Sequence, residues 1–362
     1  MGDMEALDAE MTEEEQQDDD STLKSSPVLS GARSYDPDTD PELAEMLLSA
    51  VDVAANILRD GREIQKISVI RTLPDLLDGH GQECLDKVFP LVQEVLHVES
   101  TNLDMHCEGA VSFRNILANR VLCTAVPSIA DEILKGILVN LNRQKDNLSA
   151  AAWLETLVDV VDHIPVDAVR YEVLPVVLSQ ADASQRVQRR VIASKLLEKL
   201  CSVLAPADVK ADLAPCAQML CQDSNANVRS AIGQRLPTIA KSLQSATDSV
   251  ALILPCLIEL CKDEDAGVRE AILNTVGACM PYFDKESLQE IIVPLLRKCS
   301  EQSYRIGDET LTAVAKNLGS WCYNLRDVLS PADRAWFLSM YTRLAGVDDS
   351  QQQPANRARQ GP

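Results

Sequence analysis

A repeating unit of about 40 residues runs through the body of the chain, and self-similarity at a fixed period of this length is typical of stacked repeat proteins. Prolines inside aliphatic runs recur at almost equal intervals, at Pro175, Pro215, Pro255 and Pro294. In three of these units an aspartate is followed five residues later by a valine, in the pairs Asp182/Val187, Asp223/Val228 and Asp263/Val268. This period limits the folds available to the chain.

The pattern inside each unit predicts two helices joined by a polar turn. In residues 223–243 the apolar side chains follow one another in steps of three and four, which describes one face of a helix. Hydrophobic residues make up 46% of the chain but aromatic residues only 4%, which favours aliphatic helical packing over strands. Because one helix pair cannot bury both of its apolar faces, the units must stack.

Fainter copies extend the array in both directions. They cover residues 42–81, 83–122 and 127–163 upstream, and 286–325 downstream, followed by a lone first helix at 330–345. Ser330 and Pro331 there have the order of an N-cap and a first helical residue. The pattern is that of the HEAT repeat, with the three-helix armadillo repeat as the alternative. We predict an all-α fold: a right-handed α-solenoid of about seven HEAT-type helix pairs at residues 41–345.

The two ends of the chain differ from this body. Residues 1–40 contain 13 acidic and two basic residues, so this segment carries −11 of the net charge of −21. High like charge with little apolar content predicts a disordered acidic tail, and residues 346–362 are predicted to be a disordered polar tail. An acidic chain is a poor ligand for nucleic acid or anionic membranes, and no apolar run is long enough to span a bilayer. We expect neither kind of partner.

A search for catalytic or metal-binding patterns gives no candidate. The sequence contains no P-loop, no GxGxxG and no HExxH motif, and its four histidines are scattered. Cys216 and Cys221 recur one period later as Cys256 and Cys261, which indicates buried repeat positions rather than a metal site. Trp153 is likewise expected in the core. We expect no enzyme activity, no cofactor and no metal, and the scattered cysteines predict reduced thiols in a cytosolic or nuclear compartment.

The turn between the two helices of a unit has a structural interpretation. An aspartate there can accept hydrogen bonds from the amides that begin the second helix, and its charge suits the positive end of that helix. The valine would face inward, and the arginine after it could reach a turn aspartate. Repeated along the stack, Asp223 and Arg229 would meet Asp263 and Arg269 as a ladder, whose exposed rungs would contribute under ~1 kcal/mol each.

The same turns could also form a ridge that contacts a partner protein. The variable residues between the aspartate and the arginine have no predicted packing role, which makes them contact candidates. Three arginines close together in the fourth unit form the most basic cluster of the body and could contact an acidic patch of a partner. A solvated helix face is the simpler interpretation of this cluster. The candidate partner-binding residues are Gln185, Arg186, Arg189, Arg190, Ser224, Asn225, Arg229, Glu264, Asp265 and Arg269.

Several segments resemble a known family more closely than the repeat pattern alone requires. They are SVIRTLPDLL (68–77), AWLETLVDVVDHIP (152–165), VLPVVLSQADASQRVQRRVIASKLLEKL (173–200), LCQDSNANVRSAIGQRL (220–236) and LPCLIELCKDEDAGVREAILNTV (254–276). Together they resemble the HEAT-repeat family of regulatory subunit 4 of serine/threonine-protein phosphatase 4, in register over about residues 43–325.

The resemblance implies a non-catalytic cytoplasmic subunit that binds the phosphatase 4 catalytic subunit and directs its localisation or substrate choice. A phosphatase 2A-type scaffold, which shares the single repeat motifs, or another HEAT adaptor such as a transport receptor is the alternative. Members of the family continue with further repeats, whereas this sequence departs from their pattern after Leu344.

Overall fold

The computed structural model describes residues 48–144 and 146–346, in which all regular secondary structure is helical. The prediction of a disordered acidic tail falls outside these residues, as does that of the polar tail from residue 347 onward. In chain order the α-helical segments are α1 Ala50–Asp60, α2 Glu63–Lys87, α3 Phe89–Val98, α4 Leu103–Ala118, α5 Arg120–Ala125, α6 Pro127–Arg143, α7 Asn147–Val160, α8 Val166–Ala168, α9 Leu174–Ala181, α10 Val187–Val203, α11 Pro206–Asp208, α12 Ala214–Cys221, α13 Ala226–Gly233, α14 Leu236–Leu243, α15 Ala246–Leu252, α16 Leu254–Leu260, α17 Ala266–Cys279, α18 Lys285–Ser287, α19 Val293–Ile306, α20 Glu309–Asn324 and α21 Pro331–Leu344.

Within the described part of the chain these segments form seven helix hairpins and two further helices, of which the short α5 lies between the second and third hairpins. The hairpins, called repeats 1 to 7, are α1/α2, α3/α4, α6/α7, α8–α9/α10, α11–α12/α13–α14, α15–α16/α17 and α18–α19/α20, and α21 follows as a lone first helix. Each second helix packs against the second helix of the next repeat, so that α2, α4, α7, α10, α13, α17 and α20 form one continuous row. The predicted all-α repeat fold is confirmed.

The repeated prolines interrupt the first helices in a defined way. Pro175, Pro215 and Pro294 each follow a five-residue π-helical turn, at Val169–Val173, Val209–Leu213 and Leu288–Ile292. In the π turn of repeat 4 the amide of Leu174 donates to the carbonyl of Val169, so the chain widens just before the proline. Proline has no N–H to donate, and the wider turn lets the helix continue past it. The first helices therefore accommodate these prolines by a local change of helix type.

The core is a single aliphatic layer between the two rows of helices. In repeat 5 the predicted stripe Val228, Ile232, Leu236 and Ile239 is completely buried. Trp153 is also fully buried, and its ring lies edge-on to that of Phe113 at 5.3 Å, which confirms its prediction as a core residue. The four cysteines at equivalent positions of repeats 5 and 6 are buried as well, in agreement with their predicted packing role.

Candidate partner-binding surface

The turns within repeats 5 and 6 are joined by a bidentate ion pair. Arg229 is the fourth residue of α13, and its Nε and Nη2 donate to the two carboxylate oxygens of Asp263 at 2.7 and 2.9 Å. Its Nη1 donates to the backbone carbonyl of Asp223, in its own turn, at 2.8 Å. The arginine therefore ties its own turn to the turn of the next repeat. Two parallel hydrogen bonds fix the orientation of both groups as well as their distance.

The same arrangement occurs in the neighbouring repeats. Arg190 donates to both oxygens of Asp223 at 2.6 and 2.8 Å, and Arg269 donates to Asp308 at 2.7 Å. The predicted contact between the turns of repeats 5 and 6 is confirmed as the pair Arg229–Asp263, and equivalent pairs that were not predicted continue it by one repeat in each direction. We call the three pairs Arg190–Asp223, Arg229–Asp263 and Arg269–Asp308 the Arg–Asp ladder.

The expectation that the rungs are exposed is wrong. The side chains of Arg190 and Asp223 are 7% and 5% exposed, and those of Arg229 and Asp263 are 12% and 7% exposed. Burial by itself would raise the pKa of Asp263, but the hydrogen bonds from Arg229 and from the Asp265 amide outweigh it and hold that pKa below its usual value. The rungs are therefore structural elements of the core edge and are not free to receive a partner.

Two of the variable turn residues also have a structural role that was not predicted. Asn225 is the N-cap of α13 and accepts from the amide of Asn227 at 3.0 Å, and Asp265 is the N-cap of α17 and accepts from the amide of Val268 at 3.0 Å. The turn aspartates accept from the amides of the N-caps themselves, as in the 2.8 Å bond from Asn225 to Asp223. Asn225 and Asp265 therefore both have a local structural function as N-caps. Asp265 nevertheless remains exposed.

The predicted basic cluster of repeat 4 does not exist as a surface feature. Arg189 and Arg190 are only 9% and 6% exposed, and Arg186 alone is exposed. The turn of repeat 4 is longer, because Asp182 lies four residues before the N-cap Arg186 whereas Asp223 lies two residues before its N-cap. This displacement places Arg189 third in its helix, at the inward position where the other two repeats carry a valine.

Arg189 belongs to a polar network inside the stack that sequence inspection missed. Its guanidinium donates to the backbone carbonyl of Gln144 at 2.9 Å and reaches the side chain of Gln180 at 3.4 Å. The Gln144 amide lies 2.8 Å from His106 Nε2, and the Trp153 indole donates to His106 Nδ1 at 3.2 Å. His106 is the fourth residue of α4, the position of the ladder arginines, so its contact with Gln144 is a neutral counterpart of a rung.

Burial has the expected electrostatic effect on this network. Removal from water lowers the pKa of His106 and lowers that of Arg189. Because Nδ1 of His106 accepts a hydrogen bond from the Trp153 indole and burial disfavours the charged ring, His106 is expected to be neutral. The network joins repeats 2, 3 and 4 without an ion pair.

What remains exposed on the turn ridge is a small, mixed set of side chains. Arg186, Ser224, Glu264 and Asp265 are exposed and Gln185 is half-buried, while Arg229 and Arg269 face the ladder. The Asn147 amide, with its oxygen turned toward Arg186, accepts from Nη1 and Nε of that arginine at 2.9 and 3.1 Å.

Between residues 48 and 346, Lys145 aside, no three His, Cys, Asp or Glu side chains are close enough to hold a metal ion. No helix there is long and apolar enough to cross a membrane.

The hairpin stack, its ladder and its interrupted first helices define an α-helical repeat protein of the HEAT type. The HEAT-repeat family model matches residues 253–283, which contain α16 and α17. The solved structure of Cex1p has the same kind of fold, with a TM-score of 0.52 at 13% identity over 82% of this chain and 54% of Cex1p.

Two curated proteins are similar to this chain in sequence over most of its length. The chain is 33% identical over 311 residues to serine/threonine-protein phosphatase 4 regulatory subunit 4 of Mus musculus, and 31% identical over 309 residues to that of Homo sapiens. The matched regions cover 86% and 85% of this chain but 35% of each relative. The resemblance predicted from the sequence is confirmed, and the chain spans about a third of the length of these relatives.

Proposed function

We propose that the chain is a non-catalytic regulatory subunit that binds a serine/threonine-protein phosphatase catalytic subunit of the phosphatase 4 type. The observation that carries the proposal is the similarity to phosphatase 4 regulatory subunit 4 over 86% of the chain. Binding would localise the phosphatase or select its substrates, and the metal ions and catalytic groups would belong to the partner. We place the complex in the cytoplasm. The comparisons do not favour the alternative of a phosphatase 2A-type scaffold or transport receptor.

The proposed contact surface is the turn ridge, reduced to the side chains that the structure leaves exposed. Exposed residues between rigid helix ends can meet a folded partner without a rearrangement of the stack. Arg186, Ser224, Glu264 and Asp265 meet this condition. Their charges change from basic at repeat 4 to acidic at repeat 6, so a partner that fits the ridge would carry the opposite order of charges.

The proposal is tested by isothermal titration of the purified chain with the phosphatase 4 catalytic subunit, with the phosphatase 2A catalytic subunit as the competitor. We expect binding that prefers the phosphatase 4 subunit, and no phosphate release by the chain alone. No binding to the phosphatase 4 subunit would overturn the proposed function.

The ridge is tested separately with a charge-reversed variant, Arg186→Glu combined with Glu264→Arg. A matched control carries Lys316→Glu and Glu290→Arg, two exposed changes of the same kind in the middle of helices. We expect the ridge variant to lose at least about tenfold in affinity while the control binds normally. If both variants bind like the original chain, the catalytic subunit docks elsewhere and the ridge is not its site.

A further inference from the structure

Two pairs of buried cysteines lie across the boundaries between successive repeats. Cys221, the last residue of α12, lies beside Cys256 of α16, and Cys261, directly after α16, lies beside Cys299 of α19. In each pair the two thiols are within hydrogen-bonding reach of each other. The first pair therefore connects repeats 5 and 6, and the second connects repeats 6 and 7.

The contact between Cys261 and Cys299 is close and almost enclosed. The Cys299 thiol donates to the backbone carbonyl of Cys261 across 3.7 Å. Cys261 is 4% exposed and Cys299 is 7% exposed, which makes Cys299 the most accessible of the four paired cysteines. Because the two thiols already meet, we expect rotation of their side chains to bring the sulfurs to bonding distance without movement of the backbone.

The surroundings of this pair favour the thiolate of Cys299. The hydrogen bond from the Cys261 thiol lowers the pKa of Cys299, although burial acts in the opposite direction. Three nearby cations lower that pKa further: Lys298, Lys262 and Arg269. The thiolate is the form of cysteine that attacks an oxidant. Cys299 therefore has an activated sulfur, and Cys261 is the neighbouring thiol that can react with it next.

Other buried cysteines of the described residues lack this combination. The pair Cys221–Cys256 lies near the carboxylate of Glu259, and a like charge disfavours a thiolate. Burial raises the pKa of Cys201 and Cys216 to about 12, which leaves both as unreactive thiols. These cysteines are therefore internal references for the reactivity of the pair between repeats 6 and 7.

The pair also borders the turn of repeat 6. Cys261 is followed by Lys262 and Asp263, and the Asp263 carboxylate accepts from Arg229 in the Arg–Asp ladder. The exposed Glu264 comes next in the same turn. A covalent bond from Cys261 to α19 would therefore fix this turn against the next repeat.

We propose that Cys261 and Cys299 form a reversible disulfide on exposure to hydrogen peroxide, and that this bond cross-links repeats 6 and 7. Transient disulfides of this kind are compatible with a reducing compartment. The modification takes place within the chain, so its test does not depend on the proposed phosphatase partner.

The chemistry proceeds in two balanced steps. The Cys299 thiolate attacks peroxide and breaks the O–O bond, which gives a sulfenic acid and a hydroxide that takes up the proton of the original thiol as water. The Cys261 thiol then attacks the oxidised sulfur, the S–S bond forms, and the hydroxyl group leaves as a second water. Two thiols and one peroxide thus give one disulfide and two waters. Two equivalents of a thiol such as glutathione restore both cysteines and leave as their own disulfide.

The test treats the reduced full chain with hydrogen peroxide and stops the reaction with catalase after increasing times. Mass spectrometry of a digest made without reductant then locates the disulfides. We expect the linked peptides of Cys261 and Cys299 to form at least about threefold faster than those of Cys221 and Cys256. Dithiothreitol should restore both thiols.

Variants of the chain identify the role of each group. Cys261→Ser should leave a sulfenic acid at Cys299 that dimedone traps, whereas Cys299→Ser should leave Cys261 as a thiol. Cys216→Ser, a change at another buried cysteine, is the matched control and should form the disulfide at the original rate. The exposed double change Lys262→Gln with Lys298→Gln should slow the reaction at least about twofold without a change in the core.

Circular dichroism confirms that the variants are folded, and a gel run without reductant shows whether the oxidised chain stays a monomer. The proposal is overturned if Cys261 and Cys299 remain thiols after the half-buried Cys322 has been oxidised. A disulfide that joins two molecules, or a reaction in which the pair Cys221–Cys256 is linked first, overturns it as well.

Discussion

Replacement of Asp263 by asparagine tests whether the Arg–Asp ladder contributes to stability as a buried structure. The carboxylate accepts two bonds from Arg229, at 2.7 and 2.9 Å, and a third from the Asp265 amide at 2.9 Å. Asparagine keeps the shape but removes the charge and one acceptor oxygen. Arg229, 12% exposed, would then remain as a nearly buried cation with no carboxylate partner, and its acceptors would be the Asp223 carbonyl and the one remaining side-chain oxygen.

The size of the effect follows from this geometry. Removal of one partner from a buried ion pair costs about 3–5 kcal/mol, whereas the loss of a surface pair costs about 0–1 kcal/mol. Because Arg229 keeps its bond to Asp223 and a small part of its surface in water, we expect a loss of about 2–3 kcal/mol in the free energy of unfolding. The double variant Arg229→Met with Asp263→Leu should lose less, because no charge stays buried without a partner.

Urea unfolding followed by circular dichroism gives the overall stability, and hydrogen exchange of the amides in α13 and α17 shows whether the loss is local. The local measurement is needed because neighbouring repeats can unfold separately. The control is Asp327→Asn, which removes an exposed carboxylate 3.8 Å from Arg326 and should change stability by less than about 0.5 kcal/mol. An equally small effect of Asp263→Asn would refute the reasoning, because the rung would then behave as a solvated pair.

Three other predictions concern the core. Trp153→Ala should cost about 3–5 kcal/mol in urea unfolding, because it leaves a large cavity and removes the hydrogen bond to His106. Burial lowers the pKa of His106 below 6.5, so the unfolded chain binds the proton first as the pH falls, and stability should decrease below about pH 6.5. Unfolding of His106→Gln at pH 5 and pH 7 should show a smaller difference than that of the original chain. Burial also raises the pKa of Cys201 and Cys216 to about 12, so mass spectrometry after brief alkylation at pH 8 should find both unmodified, with modification at the half-buried Cys107, Cys123 and Cys322.

The repeat period predicted the fold and part of the ladder because both depend on spacing along the chain. Asp223 and Asp263 are one period apart, as are their arginines, so equal positions in equal helices could be inferred directly. The prediction for repeat 4 was wrong for the same reason, because it also relied on spacing along the chain. The position of Val187 after Asp182 imitates the pattern of the next two repeats, but the longer turn makes Val187 the first residue of its helix. Spacing alone does not show where a helix begins.

The buried polar network could not be predicted from the sequence for a different reason. Arg189 is paired with a backbone carbonyl 45 residues away, and a backbone acceptor leaves no mark in the side-chain pattern. The lone first helix after Ser330 was predicted, but the exposure of Tyr323 and Tyr341 beside it follows only from the packing of α21 on α19.

The Arg–Asp ladder also determines how the repeat stack can deform. Its three rungs join the turns of repeats 4 to 7 along one edge. Each arginine donates to the aspartate side chain of the next turn and to a backbone carbonyl of its own turn. We therefore expect this edge to resist extension, because the turns cannot move apart without breaking these hydrogen bonds. None of the ladder's hydrogen bonds lies at the opposite ends of the helices, where successive repeats are connected. Bending of repeats 4 to 7 should therefore pivot about the ladder edge and act mainly on the opposite edge, where the pairs Arg170–Asp208 at 2.7 Å and Lys210–Asp248 at 2.8 Å have more exposed cations and resist less.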